Sequence, residues 1–222
     1  MPDLGPLWLT LQLAAVTTVI LLLLGTPLAW WLSRTRARIK PLVEALTALP
    51  LVLPPTVMGF YLLVLMNPGT WIGGFWLEVT GDTLTFSFAG LVVASLFYSL
   101  PFMVQPLQSS FEALGPGPLE AAASLRASPI NAFFTVVVPL SARGFLTACV
   151  MTFAHTIGEF GVVLMVGGNI PGETRVISIA IYEQVETLRY QEAHILSAGL
   201  LLFSFVVLVL VYAVNRRRPG HA

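Results

Sequence analysis

The chain is short of charge. Only 10% of its 222 residues are charged, against 56% hydrophobic. A water-soluble domain carries about 25% charged residues. Too few charges are present to coat a water-facing surface, so the class is an integral membrane protein. The formal net charge is zero, which gives no bulk attraction to nucleic acid. Cysteine is nearly absent. The single Cys149 excludes a disulfide within the chain and, without a CxxC or Cys/His cluster, argues against metal or redox work. Lying in an apolar run, it reads as a small core residue. No phosphate-cradling GxxxxGK(S/T) loop is present, so the chain is not expected to hydrolyse ATP alone. No internal repeat or low-complexity tract is evident, and residues 1–222 read as one domain.

What is present is a set of long apolar runs. A membrane-crossing helix needs about 20 mostly apolar residues. Five segments qualify: Leu7–Leu32, Leu49–Met66, Phe86–Val104, Arg143–Val166 and Leu196–Val214. The first is not a cleaved signal peptide, because Asp3 precedes it and Arg34, Arg36, Arg38 and Lys40 follow it. The second contains Pro50, Pro54 and Pro55. Proline removes a donor and clashes one turn back, and in lipid the freed carbonyls must find partners. This span is expected to begin as a broken helix buried in the protein, regular from about Thr56.

Orientation follows from the basic residues. With the first span ending in the cytoplasm, the inside holds Arg34, Arg36, Arg38, Lys40, Arg126, Arg143, Arg216, Arg217 and Arg218. The outside holds Arg175 and Arg189, a ratio of nine to two. The N-terminus is then outside and the C-terminus inside. The segments Asn67–Thr85 and Gly167–Ile195 face out, with Trp71 and Trp76 suited to the membrane interface. Gln105–Ala142 faces in. "VISIAIYEQVET", residues 176–187, has helical apolar spacing and is expected to lie on the outer surface as a short amphipathic helix. The eight residues after Val214 leave no room for a regulatory domain there, so one is expected on a partner.

The inside segment contains "EAAASLRASPINAFFTVVVP", residues 120–139. Pro116 and Pro118 suit a helix start, where missing N–H groups cost nothing. Glu120 falls in the first turn, favoured by the helix dipole, and "EAAASL" has strong helix propensity. Ser128 before Pro129 is pushed out of helical geometry. A helix of about two turns is therefore expected, ending near Arg126 or Ala127. Pattern alone leaves open whether it is a solvated connector or a fixed shape offered to a partner.

This stretch resembles the cytoplasmic motif of ATP-binding cassette importer permeases: EAA, three residues, Gly, nine residues, Ile, any residue, Leu-Pro. The matching positions are Glu120, Ala121, Ala122, Val136, Val138 and Pro139. Arg126 stands where the family has glycine, which takes a left-handed turn at no steric cost. The loop geometry is then either altered, or Arg126 is an added contact. "LPLVLPPTVMGFYLL", "IGEFG" and "NIPGETR" narrow the resemblance to molybdate permeases, with tungstate and sulfate permeases as alternatives. The resemblance implies an all-α polytopic fold of the type I importer class, in a bacterial inner membrane. It implies a homodimer and two ATP-binding subunits that use ATP and Mg, with no cofactor on this chain. An extracytoplasmic oxyanion-binding protein would deliver the substrate. The coupling helix would comprise Pro118, Leu119, Glu120, Ala121, Ala122, Ala123, Ser124, Leu125, Arg126 and Ala127, with Pro139 completing the motif.

In the fourth span, Thr152, His155, Thr156 and Glu159 are spaced i, i+3, i+4, i+7 and would share one helix face. Glu159 is the only acidic residue in any span core. A carboxylate repels a dianion, strongly so in low dielectric, so Glu159 is not expected to be a ligand. Two readings stay open. It anchors structure, pairing with His155 or with N–H groups at Gly158 and Gly161, or it holds a gate between two copies. No span core contains lysine or arginine. The passage is therefore expected to bind weakly through Thr56, Thr152, Thr156 and main-chain donors. On the outer side, Arg175 either receives the anion or the binding protein, or forms a salt bridge with Glu173 or Glu183. A secondary transporter would need ion-coupling groups and often a repeat, and only His155 and Glu159 qualify. A membrane anchor for an enzyme would need neither the polar stripe nor the proline-broken helix.

Overall fold

The computed structural model describes residues 4–216, which leaves Asp3, Arg217 and Arg218 outside the described residues. Among the described residues it is helical, with no strand. The first helix, α1, runs Gly5–Arg34 with a proline in its first turn. At 1.5 Å per residue, its 30 residues span about 45 Å, more than the roughly 30 Å hydrocarbon core. Thr10 and Thr26 donate their hydroxyls to Pro6 O and Leu22 O, at 2.6 and 2.5 Å. That satisfies polar atoms that lipid would not. Thr10, Leu13, Ala14, Thr17, Leu21, Gly25, Ala29 and Leu32 make its buried stripe. A Cβ on Gly25 would sit 2.9 Å from Met103 Cγ, so only glycine lets the next long helix approach this closely.

The broken second span is α2, Lys40–Ala48, a 3-10 turn Leu49–Leu51, and α3, Pro55–Leu65, bent by 110°. The break falls where the prolines were expected to place it. The expected burial of this segment is not found within one chain. Leu49, Leu51, Val52, Phe60 and Tyr61 are exposed. The turn closes itself instead, with Val52 N and Leu53 N both donating to Leu49 O at 3.1 Å, so it needs no covering element.

A further helix, α4, Trp71–Thr80, follows, capped by Thr70. Trp71 is exposed and Trp76 packs partly into the core. The central helix, α5, runs Phe88–Leu114, capped by Ser87, and carries Pro101 and Pro106 without breaking. It continues ten residues past the expected end at Val104. Leu107 and Phe111, one turn apart, are buried in the core, and Gln108 bonds Glu44 and Glu112 at 2.8 and 3.0 Å. The expected inside loop is correspondingly shorter.

Next come α6, Gly117–Ser124, and a helical stretch comprising α7, Pro129–Ala132, a π-turn Phe133–Val137, and α8, Val138–Leu140. It bends by 74° into α9, Ala142–Gly158. The chain then breaks and resumes as α10, Gly161–Gly167. Helix α11 spans Ile177–Glu186 and α12 spans Tyr190–Arg216. Three helices, α1, α5 and α12, are long and apolar enough to cross a membrane, and the count rises to five if each of the two bent pairs is one span.

Helices α1, α5 and α9 pack together around Leu32, Met103, Leu107, Phe111 and Ala148. Trp30 sits edge-on to Phe111 and Phe133 at 5.3 and 5.2 Å. The bundle has two distinct ends. One gathers the end of α1, α2, the end of α5 and α6: Lys40 lies 3.7 Å from Glu112, and Leu119 packs on the core beside Leu32. The other gathers the start of α1, the 167–176 segment and α11, tied by Ile177 N to Thr10 Oγ1 at 2.8 Å. Helix α11 forms where the apolar spacing placed it. Its buried face, Ile177, Ile179 and Ala180, turns inward to its own bundle, with Ile179 packed beside Leu13.

Candidate functional site

The motif residues build a small rigid projection at one end of the bundle. Glu120 lies in the first turn of α6. Ala122 is buried and Leu119 half-buried, which seats the helix, while Glu120, Ala121, Ala123, Ser124, Leu125 and Arg126 face outward. The helix stops at Ser124, two residues before the expected end. Arg126 is the cause. It adopts φ +60°, the left-handed conformation that commonly ends helices. Arg126 N donates to Ala123 O at 2.9 Å and Ala127 N to Ala122 O at 3.0 Å. This pair of bonds is a Schellman motif. The substitution for glycine therefore leaves the turn in the glycine-type conformation, at a cost of roughly 1–2 kcal/mol for a side-chain-bearing residue. Ser128, extended at ψ 154°, caps the following helix by accepting from Asn131 N at 3.3 Å. Both the turn and this cap lie on the C-terminal side of α6, whose N-terminus starts after Pro116 without a side-chain cap. Pro139 lies in α8 and is exposed.

The polar stripe of the fourth span divides. Thr152 and Thr156 are buried, and Thr156 Oγ1 donates to Thr152 O at 2.8 Å. Ser99 of α5 lies 3.0 Å from Thr156 Oγ1 and 3.1 Å from His155 Nδ1. One proton arrangement satisfies this chain: His155 Nδ1–H to Ser99, Ser99 to Thr156, Thr156 to the Thr152 carbonyl. The His155 ring stacks on Phe102 at 3.9 Å. These bonds join α5 to α9, and within one chain Thr152 and Thr156 are buried between the two helices.

Glu159 leaves the helix face altogether. Helix α9 ends at Gly158, and Glu159 is extended at φ −72°, ψ 138°. The shared face expected for it fails because two glycines flank a break. Gly161 is required there, since a Cβ would meet Pro55 Cβ at 2.6 Å. The Glu159 carbonyl accepts from Ser178 Oγ at 2.5 Å. Its carboxylate oxygens are buried and have no hydrogen-bond partner among the described residues, so the expected pairings with His155, Gly158 or Gly161 are not made. Glu159 and His155 nevertheless line one cleft of about 460 Å³ with Pro55, Tyr98, Gly158 and Gly161. Thr56 is exposed on α3 and does not line it. Tyr98 is a lining residue that sequence reasoning missed. Its only signal is its position one turn before Phe102 and beside Ser99 on α5.

At the opposite end, Arg175 Nε bonds Asn169 Oδ1 at 2.6 Å and lies 3.4 Å from Glu183 Oε2. The salt bridge is made with Glu183 and not with Glu173. Glu173 lines a separate cleft with Gln12, Asp82 and Phe86, so the two residues do not share one site.

A helical bundle with three to five apolar helices long enough to cross a membrane is a polytopic membrane protein. The chain belongs to the family of binding-protein-dependent transport system inner membrane components, whose profile matches residues 12–218. It is 58% identical to the molybdenum transport system permease protein ModB of Azotobacter vinelandii over 218 residues, covering 98% of this chain and 96% of that one. It is 33% identical to ModB of Escherichia coli strain K12, covering 99% and 97%. Its fold matches a chain of the bacterial alginate ABC transporter crystallised with an alginate pentasaccharide-bound periplasmic protein. That match has a TM-score of 0.77 at 14% identity, over 96% of this chain and 78% of that chain.

Proposed function

We propose that the chain is the permease subunit of an ATP-driven molybdate importer, and that two copies form the translocation pathway. The observation that carries this reading is α6: a helix seated through Leu119 and Ala122 and closed by the Arg126 turn, which presents Glu120, Ala121, Ala123 and Leu125 outward at the basic end of the bundle. Such a shape transmits force without deforming. By this reading α6 docks on a separate ATP-binding subunit, which uses ATP and Mg. The basic end faces the cytoplasm, the N-terminus lies outside, and an extracytoplasmic binding protein delivers the oxyanion at the α11 end. The 58% identity to a molybdenum transport permease over nearly the whole chain supports molybdate as the substrate.

Alternating access then follows from rigid parts and breaks. Closure of the ATPase pair moves the two α6 helices together. The bends before α3, before α9 and at Glu159 are where the spans change angle. The cleft beside Glu159 offers no cation among the described residues, so passage through it is weak and selection rests with the capture protein. Reconstitution of the chain with its ATPase and capture protein tests the reading. ATP-dependent uptake of labelled molybdate, outcompeting excess sulfate, is the expected result. Uptake driven by a proton gradient without the ATPase would replace this reading with a secondary transporter.

A further inference from the structure

An apolar groove of about 660 Å³ runs between α1 and the 129–140 helical stretch. Leu22, Leu23 and Trp30 form one wall, Ile130 and Phe134 the other, and Phe145 the floor. Its one hydroxyl, on Thr26, is already spent on Leu22 O. The indole N–H of Trp30 is the one side-chain donor left in the lining, so the occupant must be apolar along most of its length. From Leu22 to Trp30 is about 12 Å of helix axis at 1.5 Å per residue. That is most of the roughly 15 Å hydrocarbon depth of one leaflet.

The end of the groove has the opposite chemistry. Arg34 places its guanidinium 4.7 Å from the centre of the Trp30 ring. Arg34 is exposed and forms no salt bridge among the described residues. Arg36 and Arg38 follow it, also exposed, whereas the acidic groups nearby, Glu44 and Glu112, are engaged by Lys40 and Gln108. An apolar protein segment would fill the groove and leave these arginines without a counter-charge. We propose that the groove holds one acyl chain of an anionic phospholipid whose phosphate is bound by Arg34. A tail one leaflet deep with an anion at its end matches both the length and the charge of the site.

The test uses the full chain in mild detergent, titrated with phosphatidylglycerol or phosphatidylcholine and weighed by native mass spectrometry, which reads retention whichever way the chain faces a membrane. Both lipids carry the phosphate, but phosphatidylcholine balances it with its own choline cation, and the uncompensated charge of phosphatidylglycerol beside one arginine is worth about 1 kcal/mol, or about fivefold in retention. Wild type should keep phosphatidylglycerol over phosphatidylcholine by about that factor. Arg34→Gln should abolish the preference and Arg34→Lys should keep most of it. Ile130→Trp, at an exposed groove position, should lower retention of both lipids. Circular dichroism identical to wild type establishes that each variant is folded. Equal retention of the two lipids by wild type, or a preference untouched by Arg34→Gln, would overturn the proposal, as would unchanged retention in Ile130→Trp.

Discussion

Replacing Arg126 with glycine isolates the turn on which the shape of α6 depends. Arg126 holds φ +60°, which costs a side-chain-bearing residue roughly 1–2 kcal/mol. Glycine removes that cost. It also frees the unfolded chain, returning about 0.4–1 kcal/mol in the other direction. At the midpoints of these ranges the net gain is about 0.8 kcal/mol, or about a fourfold shift in the local opening equilibrium. The amide of Ala127 reports it directly, because it donates to Ala122 O across this turn at 3.0 Å. Its hydrogen exchange should slow by that factor in Arg126→Gly. Arg126→Val should do the reverse, since a β-branched residue at positive φ is a strong outlier. Binding of the ATPase subunit separates the two roles of the side chain. If Arg126 serves only the turn, Arg126→Gly binds at least as well as wild type, and if the guanidinium also touches the partner, affinity falls although the turn is firmer. Faster exchange at Ala127 in Arg126→Gly would refute the strain argument.

Three further changes probe other parts of the molecule. Glu120→Arg reverses a charge at the α6 N-terminus, a swing of about 0.6–2 kcal/mol from the helix dipole alone, and should leave ATP hydrolysis running while molybdate uptake is lost. Uptake at the wild-type rate would show that this face does not dock. Glu159→Gln keeps the shape of the cleft and should leave the preference among molybdate, tungstate and sulfate unchanged in competition uptake, whereas an altered preference would make Glu159 a ligand. Gly25→Leu overfills the α1–α5 contact, where a Cβ already lies 2.9 Å from Met103 Cγ. The cost of about 1–3 kcal/mol should lower the melting temperature of the purified chain by about 2–4 °C per kcal/mol, and an unchanged value would show that the helices yield there.

The parts legible in the sequence are those governed by local chemistry. Apolar length marks a span because lipid demands it, and the start of α3 at Pro55 follows from the prolines themselves. The α6 helix follows from two prolines, a first-turn glutamate and three alanines. Where tertiary contacts decide, sequence periodicity misleads. Nothing between Val104 and Leu114 looks like a membrane span, yet α5 continues because Leu107 and Phe111 are buried and Gln108 finds two carboxylates.

The fourth span is the sharpest case, because a helical period was extended through "TIGEF" as if two glycines flanking a glutamate were neutral. Pro55 occupies the space where a side chain at position 161 would go. The α9–α10 break and the α2–α3 break thus meet at one contact, proline against glycine, and each is the reason the other is tolerated. The cleft beside Glu159 exists because both chains turn there. A permease needs such a place. The two breaks touch outside the packed core of α1, α5 and α9. Gly161→Ala is therefore expected to force α3 and α10 apart and to lower the melting temperature of the purified chain, and an unchanged value would show that the contact yields.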